Sequence, residues 1–255
     1  MEFVDTHTHL YMSEFDDDRE VVFQDAIDNG VTRLLMPNVD ASTIKPLLQF
    51  VKQHPAHCFP MMGLHPTSVN ENYQEELNLI KKTLDKGKFV AIGEVGLDLY
   101  WDKTFLKGQV DAFSEQVGWS VDTGLPLMIH VRKAYDETLA VLSKYKGHQF
   151  GGVFHCFSGN IQQARKVIEL GFKLGIGGVV TYKNSSLQKI VEEIPLNCLV
   201  LETDSPYLTP VPFRGQRNQS AYIPYIAQKI AELKSTTIAE VAEITTQNAK
   251  LLFNL

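Results

Sequence analysis

Eight short apolar runs rich in β-branched residues recur along the chain, and they limit the folds open to it. The runs are EFVDTHTH, RLLMPNV, FPMMGLH, VAIGEVGLD, PLMIHV, GVFHCF, KLGIGGVV and LVLETD. Between them lie stretches with helical spacing of apolar residues, including VVFQDAIDNG, LKGQVDAFSEQVGWSVDTG, IQQARKVIELG and LQKIVEEI. Strands that alternate with helices indicate parallel βαβ units, and almost wholly apolar strands indicate a sheet covered on both faces. Eight such units predict an α/β fold, the (β/α)8 TIM barrel.

A chain of 255 residues has the usual length of one such barrel, although two small domains would also fit. An open doubly wound sheet is the rival architecture, but no GxGxxG motif follows the first strand. Because there is no low-complexity stretch or Pro/Gly/Ser-rich linker, we predict a single domain over residues 1–255. Helical patterns around 222–233 and 238–252 predict distorted or extended C-terminal helices, the second capped by Ser235 or Thr236.

Composition and charge limit which binding partners and which cellular compartment can be predicted for the chain. The net charge of −6 argues against a protein that binds nucleic acid by general electrostatic attraction. We expect no signal peptide, because the N-terminus is acidic with a short apolar run, and no membrane span, because no stretch approaches about 20 apolar residues. Cys58, Cys156 and Cys198 form no CxxC motif and lie in or beside apolar runs. We therefore predict buried free thiols in a cytoplasmic protein, by default a monomer.

Histidines and carboxylates occupy these runs toward their C-terminal ends, where a barrel carries its active site. They are His7 and His9 in the first run, His65 in the third, Glu94 in the fourth with Asp98 beyond it, His130 in the fifth, His155 in the sixth, and Glu202 and Asp204 in the eighth. A strand would put both His7 and His9 on one face. Buried polar groups without partners are expensive, so this convergence indicates a metal site. We expect His54, His57 and His148, in polar surroundings, to be solvated.

The predicted donors are imidazoles and carboxylates without a thiolate, a set that suits Zn, Mn, Ni, Co, Fe or Mg. Six donors exceed what one catalytic ion with an open position needs. They suit two divalent ions that share a bridging carboxylate, which we expect to be Glu94. The six predicted ligands are His7, His9, Glu94, His130, His155 and Asp204.

Several separated motifs resemble those of the TatD-type metal-dependent deoxyribonucleases of the amidohydrolase-like superfamily. They are FVDTHTHL, GLHP, GEVGLD, PLMIHVRKAYDE, FHCFSG, LETDSPYL and FRGQRN, and they extend from the first strand into the C-terminal part of the chain. FVDTHTH alone would fit many amidohydrolases, whereas the combination is highly specific. The resemblance implies a phosphodiesterase acting on DNA, either a 3′-to-5′ exonuclease or an endonuclease.

The resemblance also implies roles for single residues. It makes His7, His9 and Asp204 ligands of one ion, His130 and His155 ligands of the second, and Glu94 the bridge. It makes His65 a substrate-facing histidine near the scissile phosphate and Glu202 the acidic residue beside the metal site. Arg214 and Asn218 match positions in the loop after the eighth strand, where we predict substrate contacts.

The chain departs from the family pattern in two places. Tyr11 stands where the family usually has Asp or Asn, and the loop that usually reads RNEP reads RNQS, with Gln219 and Ser220. Neither change replaces a predicted metal ligand. The loss of the proline puts the family's substrate contacts in that loop in doubt.

The predicted mechanism is attack of a metal-bound hydroxide on phosphorus. Asp204 would accept the proton of the water, and Glu202 would share that role or orient a ligand. His65 and Arg132 would hold a nonbridging oxygen, although Arg132 has an alternative role in an ion pair with a rim carboxylate.

Basic and aromatic residues fall in the segments that follow the strands. The basic ones are Lys103, Lys133, Lys183, Arg214 and Arg217, and the aromatic ones are Tyr100, Trp101, Tyr182, Tyr207 and Phe213. The aromatic side chains would either stack on unpaired bases or pack on the barrel as a lid.

Two other functions remain open. The first is an amidohydrolase or esterase acting on a cyclic amide or on an aminoacyl ester such as aminoacyl-tRNA, which needs the same activated water. Many binuclear amidohydrolases bridge their metals with a modified lysine on strand four, and this chain has Glu94 there instead. The second is a binding protein with a relic site, which the complete ligand set disfavours.

Overall fold

The computed structural model describes residues 1–101 and 103–255, and within them it contains eight parallel strands. The strands are β1 Phe3–Asp5, β2 Val31–Met36, β3 Cys58–Pro60, β4 Ile92–Asp98, β5 Leu127–Arg132, β6 Gly152–Phe154, β7 Phe172–Ile176 and β8 Leu199–Leu201. Each corresponds to one apolar run, so the prediction of eight strands is confirmed.

Hydrogen bonds join the strands in sequence order into a closed ring. β1 to β3 form one parallel set and β4 to β8 another. A parallel bridge between Met61 and Ala91 connects the sets after β3. At the other seam, the Thr6 N–H donates to the Leu201 carbonyl at 3.0 Å, and Thr8 bridges Ser205. The predicted (β/α)8 barrel is confirmed.

Nine α-helices lie in the described residues. They are α1 Arg19–Asp28, α2 Ile44–Gln53, α3 Tyr73–Leu84, α4 Leu106–Thr123, α5 Tyr135–Ser143, α6 Ile161–Glu169, α7 Leu187–Glu193, α8 Ile223–Lys234 and α9 Ile238–Phe253. The two C-terminal helices lie within one residue of their predicted bounds, but the predicted cap is wrong. Ser235 ends α8 in the left-handed region, at φ 52°, and Thr237 caps α9 by accepting a hydrogen bond from the Glu240 N–H at 3.1 Å.

The interior of the barrel is filled by apolar side chains from the strands and the residues beside them. These are Val4, Leu35, Met61, Ala91, Met128, Val153 and Val200. Ala249 and Phe253 of α9 pack against this cluster. Because Asn248 of α9 donates to the carbonyl oxygen of Leu199, where β8 begins, α9 closes the N-terminal end of the barrel. The opposite end, where the strands finish, is left for a site.

The strands end sooner than the apolar runs do. β1 ends at Asp5, before His7 and His9, and β8 ends at Leu201, before Glu202. Most predicted site residues therefore lie on the first loop residues after a strand. Glu94, His130 and Arg132 are exceptions that lie within strands, and Glu94 is the third residue of β4, nearer its start than expected.

The three cysteines are free thiols, as predicted, but only Cys58 is buried, whereas Cys156 and Cys198 are partly exposed. His148 is exposed, while His54 and His57 are half-buried against Phe23, which differs from the predicted solvation. Among the described residues, none of the helices is both long and apolar enough to cross a membrane.

Candidate metal centre

The Glu94 carboxylate lies at the centre of the C-terminal end of the barrel, where its side chain is 3% exposed. Five imidazoles surround it. Its Oε2 lies 3.1 Å from His7 Nε2 and 3.7 Å from His9 Nε2, and its Oε1 lies 3.2 Å from His65 Nε2, 3.0 Å from His130 Nδ1 and 2.8 Å from His155 Nε2. Burial would raise the pKa of Glu94, but the neighbouring histidines hold it well below its ordinary value. The two oxygens thus face two different groups of nitrogen donors.

His9 is oriented by Tyr11, the residue that departs from the family pattern. The Tyr11 hydroxyl donates its only proton to the Pro37 carbonyl at 2.6 Å, so it accepts from His9 Nδ1, 3.3 Å away. His9 Nδ1 therefore carries the proton, and the Nε2 lone pair points inward. That atom lies 3.1 Å from His7 Nε2 and 3.7 Å from Asp204 Oδ1.

His130 is oriented in the same way by Asp98. Asp98 Oδ2 lies 2.9 Å from His130 Nε2 and accepts its proton, which leaves the Nδ1 lone pair facing Glu94 Oε1. The Asp98 backbone is held by Gln109 of α4, which accepts from the Asp98 N–H at 3.0 Å and donates to its carbonyl at 3.2 Å. No role is predicted for Asp98 from the sequence, although its spacing of four from Glu94 in the same strand indicates that both side chains share a face.

His65 presents a proton to the centre instead of a lone pair. Its Nδ1 accepts a hydrogen bond from the Thr67 N–H at 3.2 Å, so in the neutral ring Nε2 carries the hydrogen. That Nε2 lies 3.2 Å from Glu94 Oε1 and is suited to donate to an anionic oxygen. This tautomer disfavours ligation of a metal through Nε2. The ligand atoms of His65, Glu94 and His130 are nevertheless close enough to one another to hold one ion.

Glu202 lies behind His155 and not at the surface of the cavity. Its side chain is fully buried, and its Oε1 accepts a hydrogen bond from the Cys156 N–H. Oε1 is also 3.8 Å from His155 Nδ1. Burial raises the pKa of Glu202 to about 8. Of the two predicted roles, this position fits the orientation of a ligand better than the transfer of a proton from water.

The donor arrangement fits divalent cations. His9 Nε2 and His130 Nδ1 both direct lone pairs toward carboxylate oxygens, and acceptors that face each other at 3 to 4 Å are satisfied by a proton or a metal cation between them. Burial lowers the pKa of His7 to about 4, so its imidazole is neutral, the form that binds a metal. Hard carboxylates and borderline imidazoles are ligands for Zn, Mn, Ni, Co or Mg.

A buried Asp5 carboxylate holds the first strand beside the eighth. Oδ1 accepts from the N–H groups of His7 at 3.2 Å and Thr203 at 3.0 Å, and Oδ2 accepts from the hydroxyls of Thr203 at 2.6 Å and Ser220 at 2.7 Å. The Asp204 N–H in turn donates to the His7 carbonyl at 2.9 Å. Burial raises the pKa of Asp5 to about 6. This network fixes the spacing between predicted ligands that are about 200 residues apart in sequence, and sequence reasoning missed it.

The three other residues predicted to contact substrate differ in their exposure and in their distance from the cavity. Arg132 lines a cavity of about 720 Å³ that also contains His65, Glu94 and Asp204. Arg214 is exposed, with its guanidinium 4.3 Å from the centre of the Tyr182 ring. Asn218 is fully buried, and its amide donates to the carbonyl groups of Thr203 at 2.8 Å and Tyr207 at 2.6 Å. It supports the loop and does not present a surface to substrate.

The chain is similar to known proteins over almost its whole described length. The family model described as TatD related DNase matches residues 4–254. The chain belongs to this family. Among TatD-family relatives, it is 39% identical to the uncharacterized metal-dependent hydrolase YabD of Bacillus subtilis over 252 residues, 98% of each chain. It is 30% identical to the 3′-5′ ssDNA/RNA exonuclease TatD of Erwinia tasmaniensis over 257 residues, 98% of this chain and 99% of the relative.

A solved structure shows the same TatD-family fold. The crystal structure of YjjV, a TatD homologue from Escherichia coli K12, superimposes with a TM-score of 0.93 at 30% identity, covering 99% of this chain and 98% of that one. The resemblance drawn from the separated sequence motifs is therefore confirmed.

Proposed function

We propose that this metal-dependent hydrolase of the TatD family uses two divalent ions to cleave phosphodiester bonds in DNA. The observation that carries the proposal is the Glu94 carboxylate, whose two oxygens face two sets of inward-directed nitrogen donors. The similarity to an exonuclease named for ssDNA and RNA supports a nucleic-acid substrate.

The site divides into two sets of ligands. His7, His9 and Asp204 would hold one ion, His130 and His155 would hold the other, and Glu94 would contribute an oxygen to each. When bound, such ions make water a nucleophile near neutral pH and offset the negative charge that develops on the phosphoryl oxygens.

The protein's own residues would handle protons and position the substrate. Asp204 Oδ1 faces His7 and His9, and its side chain is 15% exposed to the cavity, so the carboxylate can accept the proton of the attacking water. The His65 Nε2–H donates to a nonbridging phosphoryl oxygen. Glu202 would hold the Cys156 backbone by accepting from its N–H, with Oε1 3.8 Å behind His155 Nδ1.

Glu94 and His65 variants test the ligand assignment. Glu94→Ala is expected to lose both ions, measured by elemental analysis, together with hydrolysis. His65→Ala is expected to retain the ions and to lower kcat by about 10²–10³-fold, because it removes a donor to the developing charge. His148→Ala, at an exposed histidine, is the matched control and should keep both properties. Metal retention in Glu94→Ala, or metal loss in His65→Ala, would contradict the assignment.

A substrate panel tests the reaction. The protein, reconstituted separately with Zn, Mn, Ni, Co or Mg, is incubated with single-stranded DNA, duplex DNA, a cyclic amide and an aminoacyl ester. We expect cleavage of DNA, and end-labelled strands distinguish exonucleolytic from endonucleolytic products. Turnover of the amide or the aminoacyl ester alone would instead favour the alternative hydrolase.

A further inference from the structure

Two exposed aromatic side chains stand at the mouth of the cavity. Trp101 is 70% exposed and Tyr100 is 47% exposed, and Trp101 lines the same cavity as Glu94 and His65. The two rings meet edge to face, with centroids 4.9 Å apart. Contiguous exposed apolar patches, especially beside polar residues, mark ligand-binding or interaction sites.

The position of this pair relative to the metal centre is fixed by one carboxylate. Asp98 Oδ1 accepts from the Tyr100 N–H at 2.9 Å and from the Trp101 N–H at 3.4 Å. Its Oδ2 accepts from His130 Nε2 at 2.9 Å. The side chain that orients a predicted ligand therefore also holds the turn that carries the aromatic pair.

Positive charge accompanies the aromatic pair. The Arg132 guanidinium carbon lies 3.8 Å from the centre of the Tyr100 ring and 5.1 Å from that of Trp101, and Lys133 Nζ lies 5.3 Å from the Tyr100 ring. A guanidinium stacked on a ring keeps its N–H groups, which lie in its own plane, available for an anion. Arg132 lines the cavity, so an anion bound there is close to the centre.

We propose that Trp101 and Arg132 form a nucleotide subsite that selects substrates with an unpaired base next to the scissile phosphodiester. The base stacks on the exposed Trp101 ring, and Arg132 binds an adjacent phosphate. Sequence-tolerant recognition of single strands combines such stacking surfaces with cationic groups along the backbone. This inference rests on the proposed function and adds a specificity-determining pair to it.

The first test compares a short single-stranded oligonucleotide with the same strand carrying abasic sites at its last three positions. With metal-loaded protein, Trp101→Ala should raise KM for the normal strand about tenfold and leave KM for the abasic strand within about twofold. Trp101→Phe keeps a flat ring and should therefore keep KM for the normal strand close to the value of the unchanged protein. Equal KM changes on both strands, or no change on either, would overturn the stacking role.

The second test distinguishes the phosphate contact of Arg132 from the stacking of Trp101, and it does not depend on cleavage. Binding of metal-loaded protein to phosphorothioate-linked strands is followed by fluorescence anisotropy over a range of salt concentrations. Arg132→Gln should weaken binding of normal and abasic strands alike and reduce the slope of log K against log salt by about 0.7, whereas Trp101→Ala should leave the slope unchanged. An unchanged slope in Arg132→Gln would overturn the phosphate contact. Trp101-dependent binding to the normal strand without any cleavage would support the subsite and defeat the proposed phosphodiesterase activity.

Discussion

Ser220→Ala is the most direct test of the network that holds the first strand of the barrel beside the eighth. Ser220 is 1% exposed, and its hydroxyl is one of four donors to the fully buried Asp5 carboxylate. A hydrogen bond to a charged group contributes about 1.5–3 kcal/mol, and the substitution leaves a lone pair of Asp5 without a partner. We expect the free energy of unfolding to fall by about 2 kcal/mol.

Urea denaturation at pH 8 measures this change, because Asp5, with a pKa of about 6, is ionised there. Ser143→Ala is the matched control, since the Ser143 hydroxyl lies at the exposed end of α5 and donates to the Ala140 carbonyl. Its expected loss is within about 0.5 kcal/mol. A second readout is metal affinity, which should fall about tenfold in Ser220→Ala because Asp5 also binds the His7 backbone. Equal stability losses in the two variants would refute the reasoning.

Further predictions concern individual glycines and a helix cap. A Cβ at position 175 would lie 2.2 Å from Glu202 Oε2, so Gly175→Ala should displace Glu202, lower the free energy of unfolding by about 1–3 kcal/mol and reduce metal affinity measured by chelator competition. Gly118→Ala should instead raise the free energy of unfolding by about 0.5–1 kcal/mol. The glycine lies inside α4, and among the described atoms near it an added Cβ would meet the Tyr145 hydroxyl at 3.9 Å. A lower free energy of unfolding would contradict the prediction that this position has room for a methyl group. Thr237→Ala should cost about 1 kcal/mol in urea denaturation by removing the α9 cap, whereas an unchanged midpoint would show that another residue caps this helix.

The barrel could be predicted because its strands are buried on both faces and remain almost continuously apolar, which makes them visible in sequence. The apolar spacing did not predict three of the helices, α2, α3 and α5. α2 carries Pro46 in its first turn, a position that a helix tolerates but that resembles a break in sequence. α5 has only nine residues, and α3 carries charges on much of its surface.

The ligand positions could also be proposed from sequence, because buried histidines and carboxylates in apolar runs demand an explanation. The groups that orient them could not. Tyr11 acts on His9 only because the fold brings the Pro37 carbonyl within 2.6 Å of its hydroxyl. Asp5 meets Thr203 and Ser220 across about 200 residues, and no local pattern records such a pairing.

The seam between β1 and β8 also has a consequence for biosynthesis. Thr6 and Leu201 hydrogen-bond across a separation of 195 residues, and Asp204 lies three residues after Leu201. His7 and His9 are translated about 200 residues before Asp204, the carboxylate that faces both imidazoles at the predicted centre. A nascent chain that has not yet reached Asp204 therefore lacks a complete predicted centre, and any hydrolytic capacity that depends on this centre is withheld until that residue has been added.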